Sequence, residues 1–560
     1  MKRIIILLLS FICYTVSSQT NTVGLITNSP EAYNGYTLFS PMGLGNTSTF
    51  LIDNCGYKVH EWNSSFQVAL STYLSDSGML FRTKKTPDSG INSPSGGGGL
   101  EMLDQNSNVV WSYDYNTDIV RQHHDIEIMP NGNILILAWE KKTAQEAISQ
   151  GRDPNLITNN ELWPEHIIEI QPVGINEANI IWEWHVWDHL VQEFNPDLPN
   201  YGIVSEHPEL FNLNYTGTSN NLEYSDWQHA NSIDYNETLD QIMITSRRWN
   251  EIWIIDHSTN TEEAATSEGG NSGAGGNILY RWGNPLAYNR GDEDNRTLFF
   301  PHDAHWIQSG LPNENKIMIF NNGTNEIGSS VDIINPPLEF EGSTYILNNN
   351  IYGPESTYWS YSEPDNFFSR QISGAEQLPN GNILICSGNQ GRIFEVDYNN
   401  FNIVWEYISP FTNNTGPVQQ GSSPEDIANN VFRAQKFSPL FEGLSNLSLN
   451  PISPIELEPN PYNCQIYGCL NVIACNYDSS ATEDNNTCTY PNDLCELENG
   501  DIGILNDNCE CIENSSLIDE FSNNKSLLKI INILGKEITN TGFLLHVYDD
   551  GSVEKKYVIE

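Results

Sequence analysis

Four phrases in this chain put reactive or polar side chains at one fixed point of a recurring pattern. HDIEIMPNGNILIL begins at His124, HANSIDYNETLDQIMI at His229, HDAHWIQSGLPNENKIMIF at His302 and SGAEQLPNGNILIC at Ser373. Pro130 lies six residues after His124, Tyr235 six after His229 and Pro379 six after Ser373; the His302 copy reaches Pro312 once Ile307 to Gly310 count as an insertion. A neutral imidazole is a competent nucleophile and proton carrier near pH 7. Arg247 ends the strand that follows His229, in the phrase SRRW, and Asn231 stands two residues beyond His229, on the same side of an extended chain. Imidazole, guanidinium and amide donors pooled in this way would bind a small anion. A single histidine in a β-protein is more often a hydrogen-bonded structural residue, but three at equivalent repeat positions ask for another reason.

The elements that would bring these residues together are short strands. From about residue 20 to 412, runs of Ile, Val, Leu, Trp and Tyr are broken every eight to twelve residues by Asn, Gly, Asp and Pro. A second repeat ends in an aromatic strand: copies close at Trp62, Trp111, Trp182, Trp282, Trp359 and Trp405. Six hairpin units, each with a Trp packed on its neighbour, predict a six-bladed β-propeller in an all-β chain. If the His/Ser phrase opens the innermost strand of each blade, three imidazoles and a hydroxyl converge on one pocket.

Composition sets limits. The 560 residues hold 72 Asp+Glu against 25 Lys+Arg, a formal net charge of −47, which excludes a polyphosphate surface and so a nucleic-acid partner. The global field also repels small anions, so local donors must bind any anionic substrate. Residues 1–18, with Lys2, Arg3, an apolar run and Ser17–Ser18, read as a signal peptide. Residues 19–412 form the propeller, 413–462 an Asn/Ser/Gly/Pro-rich linker, 463–515 a Cys-rich module and 516–560 a strand-like ending. Seven cysteines crowd that module, Cys55 and Cys386 stand apart, and the mature total is odd, so at least one thiol lacks an intrachain partner.

RQHHDIEIMPNGNILILAWE, DWQHANSIDYNETLDQIMITSRR, FFPHDAHWI with FNNG, and QISGAEQLPNGNILI resemble the bacterial arylsulfate sulfotransferases, PAPS-independent enzymes on a six-bladed propeller. The likeness spans residues 35 to 410, and 187–215 is similar to an insertion common in marine relatives. It implies transfer of a sulfuryl group from an aryl sulfate donor to a phenolic acceptor through a sulfohistidine, without a cofactor or metal. His302 takes the nucleophile's place, with His124, His229 and Arg247 completing the catalytic set and Asn231 an anion-binding place. Ser373 falls where the family can carry a Thr hydroxyl; His123 and His305 sit beside the cluster as supporting substrate-binding residues. Two departures are expected: no room for a large extra N-terminal domain, and no Cys pair bracing His302.

YGCLNVIACNYDSSATEDNNTCTYP resembles a short Cys/Asp module of secreted proteins from marine Bacteroidetes, in which Asp478, Glu483 and Asp484 could bind Ca²⁺ weakly; a solvated acidic loop is the plainer reading. The ending from Ser526 to Glu560 is similar to the sorting domain of the type IX secretion route. That implies export through the periplasm, contact with the secretion machinery, and a secreted or cell-surface protein. A small β-domain packed on the propeller is the alternative.

Two rival functions remain open at this point. Three histidines can ligate zinc and leave a fourth position for water, giving a metallohydrolase, although Arg247 beside a metal is awkward and no HExxH occurs. A non-catalytic propeller binding glycans or a protein partner through its Trp- and Tyr-rich loops is the second. No GxSxG or P-loop phrase appears.

Overall fold

A computed structural model describes residues 21–513 except 44, 218–224, 339–343, 349–350, 364–366, 413–415, 425–426, 461–463, 480, 497–501 and 507, together with the backbone of 527–531, 542–548 and 553–558. The proposed signal peptide, 1–18, lies outside the described residues. Two units divide the chain: Met1–Tyr467 with Ser480–Asn485, and Gly468–Ser479 with Asn486–Glu560.

The first unit is all-β and runs as a meander. β1 (Gly24–Asn28) is followed by β2 (Tyr36–Pro41), β3 (Ser48–Ile52) and β4 (Tyr57–Asn63). Next come β5 (Val68–Leu74), β6 (Leu80–Lys85), β7 (Gly98–Leu103) and β8 (Val109–Asp114). β9 (Val120–Ile128), β10 (Ile134–Glu140), β11 (Glu165–Val173) and β12 (Glu177–His185) make the third sheet. The fourth holds β13 (Ala230–Asn236), β14 (Gln241–Ser246), β15 (Glu251–Asp256) and β16 (Ile278–Trp282). The fifth holds β17 (His302–Trp306), β18 (Ile317–Thr324), β19 (Gly328–Ile334) and β20 (Trp359–Ser362). β21 (Gly374–Gln377), β22 (Ile383–Ser387), β23 (Arg392–Val396) and β24 (Ile403–Ile408) make the sixth, which β1 completes by pairing with β24.

A last strand, β25 (Val431–Phe437), pairs antiparallel with β2, so the first sheet takes strands from both ends of the unit. This corrects the reading of 413–462 as a linker and moves the end of the sheet region beyond 412. The strand VFRAQKF was hidden because its partner lies at Tyr36–Pro41, so no local hairpin signal announces it.

Local chemistry explains the strands. All of Ile134–Glu140 is buried, and the Pro-Asn-Gly turn before it needs the positive φ that Gly132 supplies. Five of the six repeated tryptophans bond between sheets, while the buried Trp62 indole N–H has no hydrogen-bond partner among the described residues. Indole N–H groups donate from Trp111 to Glu177 O (3.0 Å), Trp182 to Thr259 Oγ1 (3.2 Å), Trp282 to Pro354 O (2.9 Å), Trp359 to Tyr398 O (3.1 Å) and Trp405 to Asn54 O (2.8 Å). Each thus reaches the following sheet, and Trp405 of the sixth reaches the first.

A second ladder joins the first strands of successive sheets through backbone N–H groups that their own sheets leave unpaired. Asp125 accepts from Ile233 N (3.2 Å), Asp234 from Trp306 N (2.7 Å), Asp303 from Ala375 N (3.1 Å) and Glu376 from Lys436 N (2.5 Å). Carboxylates therefore satisfy donors that would otherwise be buried and unpaired.

Disulfide Cys55–Cys464 lies within the first unit, which removes Cys464 from the Cys-rich module as first bounded. Cys469–Cys488, Cys475–Cys509 and Cys495–Cys511 brace the second unit. Cys386 is a buried free thiol. Three antiparallel strands, β26 (Leu527–Ile531), β27 (Gly542–Tyr548) and β28 (Val553–Val558), make the last sheet. No helix among the described residues is long and apolar enough to cross a membrane.

Candidate active site

The His-bearing strands are bulged where the histidines sit. Register slips between Ile136 and Ala138 opposite β9, between Ala230 and Ser232 in β13, and between His302 and His305 in β17. His124 and His229 have φ of 46° and 52°, and Ser373 has φ of 98°. Bulges re-aim side chains, and left-handed backbone at non-Gly residues is costly strain that concentrates at functional sites.

The aim is convergent. The rings of His124 and His229 stand 4.7 Å apart, edge to face. His302 feels the charges of Arg247 and His229, and His124 those of His229, His123 and His302. Burial first, then these neighbours, push the imidazoles of His124 and His302 well below the ordinary value, against the raising effect of Asn322 and Phe300 on His302. Both rings are therefore neutral near pH 7. His229 is also lowered, by burial first, with Asp226 opposing; its side chain keeps 15% exposure against 2% for the whole of His302, so it is the more exposed of the two.

Hydrogen bonds fix each tautomer. Asn322 donates its amide N–H groups to the carbonyls of Ser369 (2.6 Å) and Ile372 (3.0 Å), so its Oδ1 faces His302 Nδ1 at 2.6 Å and must accept. Nε2 of His302 carries the lone pair and receives the Ile372 N–H at 3.1 Å. His229 donates Nδ1–H to Asp226 at 2.5 Å. Burial alone would raise the Asp226 carboxyl, yet His229 and Arg248 hold it well below the carboxylate range.

Arg247 brings a positive charge to His302. Its backbone N–H donates to His229 O (3.1 Å), and its guanidinium lies 5.0 Å from the Phe300 ring. That guanidinium has no side-chain hydrogen bond among the described residues. Burial and the nearby Arg248 press its pKa down to about 10, with Asp226 opposing and exposed Arg370 adding to the effect. A cationic fork with free donors beside a lone-pair nitrogen is the arrangement a sulfuryl or phosphoryl group requires.

The other expected residues fall around this centre. His123 stands behind His124, stacked on Trp139 at 3.9 Å. Asn231 gives its amide N–H to Pro301 O (2.8 Å), while its Oδ1 is buried without a hydrogen-bond partner. Ser373 is fully buried; its hydroxyl donates to Ser369 Oγ (2.8 Å) and accepts the Gly388 N–H (2.9 Å), serving the turn that carries Ile372. His305 turns its Nδ1 to the Asp303 carbonyl (3.0 Å), further along the same strand as His302. Sequence reasoning missed Asp226, Asn322 and Glu165. The first two had a faint signal, an Asp three residues before His229 and the Asn pair of FNNG. Among the described residues no group of three or more His, Cys, Asp or Glu is disposed to hold a metal ion.

A sequence profile of the arylsulfotransferase (ASST) family matches residues 101–406, more than half of the chain and all three histidine strands. The chain belongs to that family, whose membership supports aryl sulfotransferase activity in general. No curated protein matches it by sequence. Similar solved structures include a protein of unknown function from Bacteroides caccae (10% identity, 72% of this chain and 99% of that one, TM-score 0.38). Others are a putative 6-phosphogluconolactonase from Bacteroides fragilis (9%, 72% and 98%, 0.34) and virginiamycin B lyase from Staphylococcus aureus (11%, 68% and 86%, 0.31). Likeness this loose carries no argument about function.

Proposed function

We propose that the chain is a PAPS-independent arylsulfate sulfotransferase on a six-bladed β-propeller, working by two displacements at His302. The indole ladder that returns from Trp405 to Asn54 supports a closed ring of six sheets. The observation that carries the chemistry is the Asn322–His302 bond, which leaves Nε2 unprotonated beside a guanidinium with free donors.

In the first displacement Nε2 attacks sulfur, the S–O(aryl) bond breaks, and the phenolate leaves with a proton passed through a neighbouring imidazole, which takes up another at its second nitrogen and stays neutral. The ring becomes an N-sulfo imidazolium whose Nδ1–H stays on Asn322. An acceptor phenol then gives up its proton, attacks sulfur and releases neutral His302. Arg247 meets charge on the peripheral sulfuryl oxygens, and one such donor is worth about 3 to 4 kcal/mol. The Ile372 N–H, already on Nε2, can turn to one of those oxygens as sulfur arrives.

The test is p-nitrophenolate release from p-nitrophenyl sulfate, with and without phenol, for wild type and His302→Ala. Acceptor-stimulated release that the substitution abolishes supports the proposal; no release from any of a broad donor panel by folded protein overturns it. We further propose export through residues 1–18 and sorting through 516–560. The four disulfides support an oxidising destination, and mass analysis of the secreted protein's two ends tests it.

A further inference from the structure

Behind His124 lies a buried chain of three titratable groups. Glu165, at the start of β11, turns Oε2 to His123 Nε2 at 2.8 Å. His123 Nδ1 meets His124 Nδ1 at 2.8 Å. The other oxygen of Glu165 accepts the Ala230 N–H at 2.8 Å, next to His229. All three side chains are buried, so bulk water does not interrupt the chain.

Proton positions follow from the partners. With Glu165 ionised, the carboxylate can only accept, so His123 carries its proton at Nε2; its Nδ1 then accepts, His124 donates Nδ1–H, and His124 Nε2 bears a lone pair. A proton arriving at His124 Nε2 can be matched by movement of Nδ1–H to His123 and of Nε2–H to Glu165. The end state has a neutral carboxylic acid and two neutral imidazoles. An imidazolium at His124 never forms, where burial and the cationic neighbourhood oppose it. Burial likewise raises the Glu165 carboxyl, with His123 opposing, which suits a group that must hold a proton.

We propose that Glu165 is the proton store of the transfer reaction, reached through His123 and exchanged with substrate at His124 Nε2. This rests on the sulfotransferase reading. The cycle opens with Glu165 protonated, His123 carrying Nδ1–H and His124 carrying Nε2–H; in the first displacement His124 gives Nε2–H to the leaving oxygen while the other two protons each move one place along the chain, the S–O(aryl) bond breaks, and the phenol leaves neutral as the N–S bond forms. In the second, the acceptor phenol's proton enters at His124 and ends on Glu165 as the N–S bond breaks and the new S–O bond forms. One proton leaves and one returns per cycle. Glu165 and His123 act through His124 and are positioning residues.

The experiment compares Glu165→Gln and His123→Gln with wild type on phenyl sulfate, a poor leaving group, and p-nitrophenyl sulfate, a good one. Gln at 165 keeps an acceptor for Ala230. Loss of proton delivery lowers kcat/KM for phenyl sulfate by about 100-fold or more, and for p-nitrophenyl sulfate far less. Equal losses on both donors overturn the proposal. Imidazole ¹⁵N–¹H spectra of the full chain, needing no turnover, decide it independently. The expected result is one pH at which both rings change tautomer together, absent in Glu165→Gln. Separate transitions, or an imidazolium at His124, overturn the relay. An inactive wild type with the joint transition would remove the sulfotransferase reading alone.

Discussion

Ile372 gives its backbone N–H to Nε2 of His302 at 3.1 Å, and the same Asn322 side chain that fixes the other ring nitrogen also holds the Ile372 carbonyl. One amide thus holds Nδ1 directly and Nε2 through the Ile372 backbone. Ile372 pays with a φ of 53°, strain that the Asn322 and Ser373 bonds together maintain.

Asn322→Asp should move the acid limb of the rate profile. A carboxylate at Nδ1 favours the imidazolium, raising a pKa that burial and Arg247 hold well below normal. On the proposed mechanism wild type should keep its activity into acid, with His302 still neutral, and the variant should lose activity at higher pH. kcat/KM against pH for p-nitrophenyl sulfate reads this directly, and an unmoved limb assigns it to another group.

Arg433→Met should destabilise the protein by about 3 to 5 kcal/mol, the usual result of stranding buried charge. Arg433 donates to Asp125 (2.7 Å), the Tyr73 hydroxyl (2.6 Å) and Asn231 O (3.1 Å). Its Nε is 2.8 Å from Asp303, close enough for an ion pair though not aligned for a hydrogen bond. Asp125 and Asp303 follow His124 and His302 in sequence. Adding Asp125→Asn should recover part of the loss in urea unfolding.

These residues also show what the sequence could and could not disclose. The three histidines were legible because the same place in the pattern recurs, and the tryptophans because they recur at the end of each unit. Asp226, Asn322 and Glu165 occur once each, in loops or other strands, and reach the site only through folding. Arg433 was least visible: it belongs to β25, whose partner strand precedes it by nearly the whole unit.

Acid should unfold the protein early. His124, His229 and His302 have depressed folded values, burial being the main cause. Unfolded, they bind protons below about pH 6.5, whereas the folded rings do not. Their contribution is complete above that pH and is lost as pH falls. Thermal midpoints between pH 7 and 5 should drop, and His302→Asn should lessen the slope.

Cys55→Ser with Cys464→Ser should lower stability by about 2 to 4 kcal/mol. The bond spans 409 residues, so it restricts almost the entire unfolded first unit. Denaturant titration of the double variant measures the loss; p-nitrophenyl sulfate turnover at low temperature should survive.

β25 imposes an order of events on biosynthesis. A chain made from its N-terminus presents Asp125 308 residues before Arg433, the cation that neutralises it. Until that arginine has emerged, the first sheet lacks a strand and the carboxylates beside two histidines cannot be enclosed at low cost. A prematurely terminated product therefore carries the three histidines without the assembled centre. Contacts so distant in sequence also make folding slow.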